Sequence, residues 1–457
     1  MDAIATGSLT IVNARIPDPG SSVPGALRTI ECKSGLICWI DEQDGFVQVD
    51  AQAGAGQVDA KGGLVIPSLC HSHIHLDKCY ILDRCNLVSG DFAEAMTVTN
   101  EAKAGFDEVD LYTRGFNLIR DSVECGVTSM RAHVEIDTVV KFTCLDVGRK
   151  LCKTFDGISF AQEPLFDGSS EEPGENYSLL QEAAALGTLS VVGSAPYVEP
   201  SLAQAKLNIK LILELAQKHE CHVDFHLDYN LDPTSEPLIY EVIAQAKRLF
   251  WPTGRRITIG HATRLQLLTS DEWCNLKQAI GELPITFIGL PQSDLYMLGR
   301  GAVDEPLGPP RGTLRVPYLA NKHQIQVALS VNNVQNAFTP QGSVDPLSLC
   351  TLGVALFQTA TAPDLINLLV RALFGKKSEL KNEQRAVTTI SKRAIADPNA
   401  TADISVAIDD PAHLVVLHDS PTLQAAVLNP GFDRTTIRAG VVVAHRESVK
   451  WVKTSVD

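Results

Sequence analysis

The chain has 457 residues, of which 45% are hydrophobic and 20% are charged, and its formal net charge is −15 at pH 7. This length and composition predict a large core in one large domain beside a smaller one, and they exclude a disordered or fibrous chain. The negative charge and the lack of any Lys/Arg run argue against nucleic acid and anionic membranes as partners. We therefore expect a small-molecule partner, while the composition leaves open whether copies of the chain associate into a homo-oligomer.

The cysteines and the first residues of the chain indicate a reduced cellular compartment. Eleven cysteines make an odd number, and no Cys-x-x-Cys spacing is repeated. Met1-Asp2-Ala3 leads into polar sequence, and no apolar run reaches the roughly 20 residues of a membrane-spanning helix. The sequence therefore predicts a cytoplasmic protein.

Both ends of the chain read as short strands separated by turns. The β-rich runs are Leu9–Val12, Thr29–Cys32, Gly35–Ile40, Ala412–Leu417 and Thr436–Val443. Neither end alone has enough strands to bury one face of a sheet. We therefore predict that residues 1–66 and 395–457 together form a small β-sandwich domain.

Strands alternate with helices in the long middle segment. Counted from Leu64, the strand candidates are 64–66, 126–135, 158–160, 189–193, 222–226, 256–261, 285–290 and 326–331. A clear helix follows Ser201, because Ala205, Ile209 and Ile212 recur on one face. Eight such units fit an α/β fold of the (β/α)8 TIM-type barrel over residues 67–394, with the active site at the carboxyl ends of the strands.

Three histidines follow the first strand candidate at spacings of two residues. On an extended backbone His71, His73 and His75 would all point to one face. Only 12 histidines are present in the whole chain, so three within five positions favour a metal or catalytic role over a solvated or merely packed group.

These motifs together resemble the amidohydrolase superfamily, in particular its cytosine deaminase and N-isopropylammelide aminohydrolase branch. The resemblance is carried by His73-Ile74-His75-Leu76-Asp77-Lys78, by His226 and His261 at the ends of the fifth and sixth strands, and by Asn332-Asn333 after the eighth. It extends over nearly the whole chain, including the split sandwich. It implies a metal-dependent hydrolase that acts on a C–N bond of a small molecule, by deamination or by hydrolysis of a cyclic amide or amidine.

The resemblance also implies roles for particular residues. His73, His75 and His226 would hold one divalent ion, Zn²⁺ or Fe²⁺, which makes a bound water acidic enough to act as a nucleophile near pH 7. His261 matches the histidine that steadies this water or the developing oxyanion. Gln162 matches a glutamine that reads an amide-like ring edge, although a loop-capping role is the alternative.

Two positions depart from the family pattern. Asn332 stands where the family has an aspartate that binds the metal and takes the proton of the water. An amide can offer its oxygen to a metal but carries no charge and cannot act as a base, so the metal could be weakly held or lost. Tyr229 stands where the family has a glutamate that delivers a proton to the leaving nitrogen, and its phenol could relay that proton, although it is a poor shuttle near neutral pH. Asp228 is the leading substitute for proton transfer, with an orienting role as the alternative.

Two further polar residues are candidates for substrate binding. Asp294 follows the seventh strand, where the family has an amide, and its carboxylate would suit a cationic or amino-bearing substrate. Lys78 would neutralise an acidic one. A salt bridge within a loop is the alternative for either.

Two hypotheses about function follow. The first is a metal-dependent hydrolase, and the matched histidines favour it. The second is a repurposed barrel that binds a ligand or catalyses a non-hydrolytic isomerisation or cyclisation in a specialised pathway, and Asn332 and Tyr229 favour it. The sequence favours the hydrolase.

Overall fold

The computed structural model describes residues 7–18, 23–49, 56–151, 156–161, 163–300, 311–361, 363–365, 368–369, 395 and 404–452. The strands, in chain order, are β1 (Ser8–Ala14), β2 (Arg28–Lys33), β3 (Leu36–Glu42), β4 (Gln57–Asp59), β5 (Leu64–Pro67), β6 (Leu69–His75), β7 (Val127–Glu135), β8 (Asp156–Ala161), β9 (Val191–Ser194), β10 (His222–Leu227), β11 (Ile257–His261), β12 (Ile285–Gly289), β13 (Val327–Leu329), β14 (Leu414–Leu417), β15 (Arg434–Arg438) and β16 (Val441–Arg446).

The α-helices lie mainly between the strands of the middle segment. They are α1 (Phe92–Lys103), α2 (Glu108–Glu124), α3 (Thr143–Leu151), α4 (Glu175–Ala185), α5 (Leu202–Lys218), α6 (Ile239–Arg248), α7 (Ser270–Ile280), α8 (Pro291–Met297), α9 (Val316–His323), α10 (Pro346–Leu356) and α11 (Leu423–Leu428). In the described part of the chain, no helix is both long and apolar enough to span a bilayer.

The central feature is a parallel sheet of eight strands, β6 to β13, which neighbour one another in the order of the sequence. Each strand is followed by at least one helix, so the predicted α/β alternation is confirmed. The two outer strands also meet at their carboxyl ends. The backbone N–H of His75 donates to the Asn332 carbonyl over 2.8 Å, and that of Asn332 donates to the His73 carbonyl over 3.1 Å.

The prediction that residues 64–66 form the first strand of this sheet was wrong. The run 64–67 is β5, and it pairs antiparallel with β14 near the C-terminus instead of joining the eight-stranded sheet. The chain changes sheets at Ser68, whose N–H donates to His413, while Leu69 donates to Gly126. Pro67 suits this position because β5 is an edge strand, where a missing N–H is tolerated.

Two four-stranded sheets lie beside the central one. Their orders are β3-β2-β1-β4 and β16-β15-β14-β5. Side chains from both sheets share one apolar cluster, which includes Ile11, Ile30, Val65, Leu414 and Ile437. The N-terminal and C-terminal segments thus bury their apolar faces together, as a split sandwich requires.

Helix α5 shows how the local sequence determines where a helix begins and which face it buries. Ser201 caps it by accepting a hydrogen bond from the backbone N–H of Gln204. Its predicted apolar stripe, including Ala205, Ile209 and Ile212, is buried. This helix packs on the strands that carry part of the site described next.

Candidate active site

A cavity opens at the carboxyl ends of the central strands, where this class of sheet places its chemistry. Its lining residues are His75, Lys78, Tyr197, His226, Tyr229, His261, Asn332, Asn333 and Phe338. Phe92, on α1, packs against this lining, with its ring centroid 6.0 Å from that of Tyr197 and 5.7 Å from that of Tyr229. Aromatic side chains therefore cover one side of the cavity, and histidines and amides form the other.

The three predicted metal ligands converge. The Nε2 atom of His226 lies 3.1 Å from Nε2 of His73 and 3.0 Å from Nε2 of His75. Burial, together with the neighbouring histidines, lowers the pKa of each of these imidazoles well below its usual value, so they are neutral near pH 7. Neutral imidazole is the form that binds a metal.

The donor set fits a single transition-metal ion. Two imidazole nitrogens bound to one tetrahedral Zn²⁺ at 2.0–2.1 Å would lie about 3.3–3.4 Å apart, close to the separations observed. Two of the groups of side chains whose donor atoms lie near enough to one another to hold a metal are at this site: His73, His75 and His133, and His133, Asp224 and His226. These groups show that the protein could bind a metal at this point.

His71 does not join the cluster, so the prediction that all three histidines share one face was wrong. The pairing of β6 with β7 shifts register between His71 and Ile74, which breaks the regular alternation of side chains. The His71 ring instead lies 3.3 Å from the Ser122 hydroxyl on α2.

A buried polar group behind the ligands escaped the sequence reasoning. Oδ1 of Asp224 lies 3.8 Å from Nδ1 of His73 and 3.3 Å from Nε2 of His133, and its Oδ2 lies 3.3 Å from Nη1 of Arg131. A carboxylate behind a metal-binding imidazole orients the ring. The sequence held a signal for Asp224, since it is two residues from His226 on one strand and therefore shares its face.

His261 is held from behind by Asp294. Its Nδ1 atom is 2.8 Å from Oδ1 of Asp294, and Oδ2 of that carboxylate accepts a hydrogen bond from Thr313 over 2.5 Å. Burial raises the pKa of Asp294, while these two hydrogen bonds act in the opposite direction. The predicted substrate contact therefore lies behind His261, and Asp294 is not among the residues that line the cavity.

Asn332 presents one half of its amide to the cavity. Its Nδ2 donates to the Ser293 hydroxyl over 2.7 Å, whereas its buried Oδ1 has no hydrogen-bond partner within the described residues. Asn332 and His261 both have left-handed backbone conformations, with φ values of 70° and 66°. Such conformations are costly and concentrate at functional sites.

Asp228, the predicted proton-transfer residue, makes its hydrogen bonds away from the cavity. Its carboxylate accepts hydrogen bonds from the backbone N–H groups of Leu238 (2.7 Å) and Ile239 (3.2 Å), at the start of α6. Burial raises its pKa to about 6 despite these bonds. It is absent from the cavity lining, so this placement favours the orienting alternative.

Tyr229 does line the cavity, mainly through its ring. The ring stacks on His261 with centroids 3.7 Å apart and planes 24° apart, and the hydroxyl lies 3.4 Å from the Ser293 carbonyl. Burial, followed by the charge of Asp294, raises its pKa well above the usual value. The phenol is therefore a weak proton donor in this position.

Lys78 connects the cavity to a buried group of charges. Its Nζ is 2.8 Å from Glu135, which also lies 2.9 Å from Nζ of Lys103. Burial disfavours the charge of Glu135, but the two lysines hold its pKa at about 2. Asp137 and Glu163 complete the group around Lys103. Gln162, the other predicted substrate contact, lies outside the described residues.

Comparison with known proteins agrees with this geometry. No family model matches the chain. A curated relative, a pterin deaminase of Rhizobium rhizogenes, is 24% identical over 394 residues, which are 84% of this chain and 81% of the relative. The chain is therefore similar to a known deaminase over most of its length. Its likeness to the deaminase branch confirms the resemblance inferred from the histidine motif.

Two solved structures share the fold of this chain over almost its whole length. A 5-methylcytosine deaminase of Klebsiella pneumoniae, liganded with 5-fluorocytosine, superposes with a TM-score of 0.80 at 24% identity, covering 97% of this chain and 99% of the other. An N-isopropylammelide isopropylaminohydrolase of Burkholderia multivorans gives 0.69 at 19% identity, with coverage of 96% and 98%.

Proposed function

We propose that this protein is a metal-dependent hydrolase that removes an amino or amine group from a small, planar nitrogen heterocycle. The observation that carries the proposal is the convergence of the Nε2 atoms of His73, His75 and His226 at a cavity that His261 also lines. A pterin deaminase and a 5-methylcytosine deaminase are among the proteins that the chain resembles. Both names describe removal of an amino group from a flat ring.

We also propose that the eight-stranded sheet closes into a (β/α)8 barrel. The hydrogen bonds that join His73 and His75 to Asn332, together with the parallel bridge between Ile74 and Asn332, support this closure. Closure would bring ligands from β6 and β10 to the same end of the barrel as Asn332. The composite domain of residues 1–66 and 395–457 would then pack beside a barrel of residues 67–394.

His73, His75 and His226 would hold one Zn²⁺ or Fe²⁺ ion. Such an ion, when bound, lowers the pKa of a water molecule from near 16 to about 7 and so supplies a nucleophile at neutral pH. The histidines themselves contribute neutral, buried donors, and the Asp224 carboxylate lies 3.8 Å behind the His73 ring. The uncharged oxygen of Asn332 would be a weaker ligand than a carboxylate.

The cavity suits a flat aromatic substrate. Tyr197, Tyr229 and Phe338 provide ring faces and edges, which bind planar heterocycles by offset stacking and edge contacts. Lys78 and Asn333 supply a hydrogen-bond donor and an amide that can both donate and accept. These groups would orient the ring so that its C–N bond faces the histidines.

The non-hydrolytic alternative is not favoured. A barrel that only binds a ligand has no need for a neutral His226 whose Nε2 lies 3.0–3.1 Å from the Nε2 atoms of two other neutral imidazoles. Asn332 and Tyr229 alter how protons move in the site, but both remain in the cavity lining.

Ammonia release provides the test. Protein loaded with Zn²⁺ or Fe²⁺ would be incubated with pterins, aminopyrimidines and aminopurines, and ammonia would be measured. We expect release from at least one substrate, lost in His73→Ala and retained in His445→Ala, which removes a half-exposed histidine of β16. Absence of ammonia from the whole panel, or equal release by the His73 variant, would overturn the proposal.

A further inference from the structure

Two buried carboxylates stand behind histidines of the site: Asp224 lies behind the metal ligands, and Asp294 lies behind His261. At position 332 the chain has an uncharged amide, whose nitrogen donates a hydrogen bond to the Ser293 hydroxyl. Asp294 is completely buried, and its Oδ1 contacts Nδ1 of His261 at 2.8 Å. Within the described residues, this is the carboxylate that touches His261, and His261 itself is almost fully buried.

We propose that Asp294 is a positioning residue that holds His261 in one tautomer, so that the ring presents a hydrogen-bond acceptor to the attacking water. This inference rests on the proposed function. Asp294 would then supply, from behind the ring, a negative charge that Asn332 does not provide at the cavity wall.

The chemistry of the contact determines the tautomer. An ionised carboxylate only accepts hydrogen bonds, so Nδ1 of His261 must carry the proton that lies between them. In a neutral imidazole the other nitrogen, Nε2, then has a free lone pair. His261 lines the cavity while its Nδ1 is bound by Asp294, so Nε2 is the nitrogen available to a water or substrate there.

The surroundings prevent the ring and the carboxylate from turning. Tyr229 stacks on one face of His261 with centroids 3.7 Å apart. Thr313 donates to the second oxygen of Asp294, which fixes the plane of the carboxylate. A ring held by a buried charge, a stacked neighbour and a constrained backbone is pre-organised for one orientation.

Asp294→Asn is the decisive variant. Asn has nearly the same shape, but its amide can either donate to or accept from Nδ1, so it no longer selects one tautomer. We expect kcat to fall by about 10²–10⁴-fold, while KM changes by less than about 3-fold, because the ring faces of the substrate site are untouched. Asp271→Asn is the matched control, since it makes the same change at an exposed aspartate of α7, away from the cavity.

A direct readout comes from the ring nitrogens. ¹⁵N NMR of histidine-labelled protein, with and without metal, would identify His261 by its loss in His261→Asn. We expect a protonated Nδ1 in the unchanged protein and in Asp271→Asn, and a mixture of tautomers or a protonated Nε2 in Asp294→Asn. Circular dichroism would establish that each variant is folded.

The outcomes separate the two proposals. A protonated Nε2 in the unchanged protein, or a folded Asp294→Asn variant with unchanged tautomer and full kcat, would overturn the role of Asp294. If no substrate in the panel releases ammonia, the proposed function fails, and the NMR result still decides whether Asp294 sets the tautomer.

Discussion

The side-chain nitrogen of Asn332 donates a hydrogen bond to the Ser293 hydroxyl over 2.7 Å, and that hydroxyl lies 2.6 Å from the Thr339 hydroxyl. This chain of contacts fixes the amide, so its oxygen is the atom left for the cavity. Position 332 therefore offers a neutral oxygen where the superfamily resemblance predicts a charged one.

Asn332→Asp should restore that charge. The Ser293 hydroxyl can donate to a carboxylate as readily as it accepts from an amide, so the contact is preserved. We expect tighter metal binding, by about tenfold or more in a chelator competition, which corresponds to about 1.4 kcal/mol. Hydrolysis should accelerate by about 10²–10⁴-fold because a general base is regained.

Asn333→Asp provides the control for this change, since it adds a carboxylate to the neighbouring residue of the cavity lining. It should not tighten metal binding to the same extent. Equal metal affinity in Asn332→Asp and the unchanged protein would show that position 332 does not face the ion.

The metal content of the protein tests the ligand assignment. Elemental analysis of protein produced in supplemented medium should give close to one Zn or Fe per chain. Changing His73 and His75 together to Ala should abolish it, while His445→Ala should retain it. Metal that survives the double change would point instead to the neighbouring donors His133, Asp224 and His226.

Most of the fold could be predicted because its signals are local. The period of apolar residues in α5, and the short apolar runs of β7 and β10 to β13, are visible in the sequence alone. The shared apolar cluster of the two end segments was to be expected, because either end alone has too few strands to bury one face of a sheet. The change of sheet at Ser68 was not visible, because 64–67 reads equally well as a strand of either sheet.

Asp228→Asn should make folding less sensitive to pH. The buried Asp228 carboxyl has a pKa of about 6, above its ordinary value of 3.8. Between these values the folded protein keeps a proton that the unfolded chain has released. The contribution of Asp228 to the free energy of unfolding therefore decreases as the pH rises from about 4 to about 6. The variant should gain up to about 3 kcal/mol relative to the unchanged protein across this interval.

Urea denaturation at several pH values would measure this difference. Asp271→Asn, which changes an exposed aspartate of α7, should show a difference that does not vary with pH. The same flat profile for Asp228→Asn would mean that its carboxyl is not held in the raised-pKa environment at the start of α6.

Tyr229 tests whether a phenol relays protons in this site. Its hydroxyl makes one long contact, 3.4 Å, with the Ser293 carbonyl, and its raised pKa makes it a weak acid. We expect Tyr229→Phe to lose less than about tenfold in kcat, and Tyr229→Ala to lose more because the stacking on His261 disappears. A loss of 10²-fold or more in Tyr229→Phe would support the relay predicted from the sequence.

The site was less predictable than the fold, because its contacts join residues far apart in the chain. The histidine spacing indicated a cluster that included His71, and only the resemblance to the amidohydrolase superfamily singled out His73, His75, His226 and His261. The exclusion of His71 depends on a register shift that no residue pattern marks. The contact of His261 with Asp294 depends on how α8 follows β12, and this is a property of the packed structure.

The central claim is that water attacks a C–N bond of the substrate in this cavity. The most direct measurement is ¹⁸O incorporation from labelled water into the product of the metal-loaded protein, with ammonia or amine counted in parallel. We predict one ¹⁸O atom in the product for each molecule of ammonia or amine released. Conversion of a substrate without ¹⁸O incorporation would contradict the account.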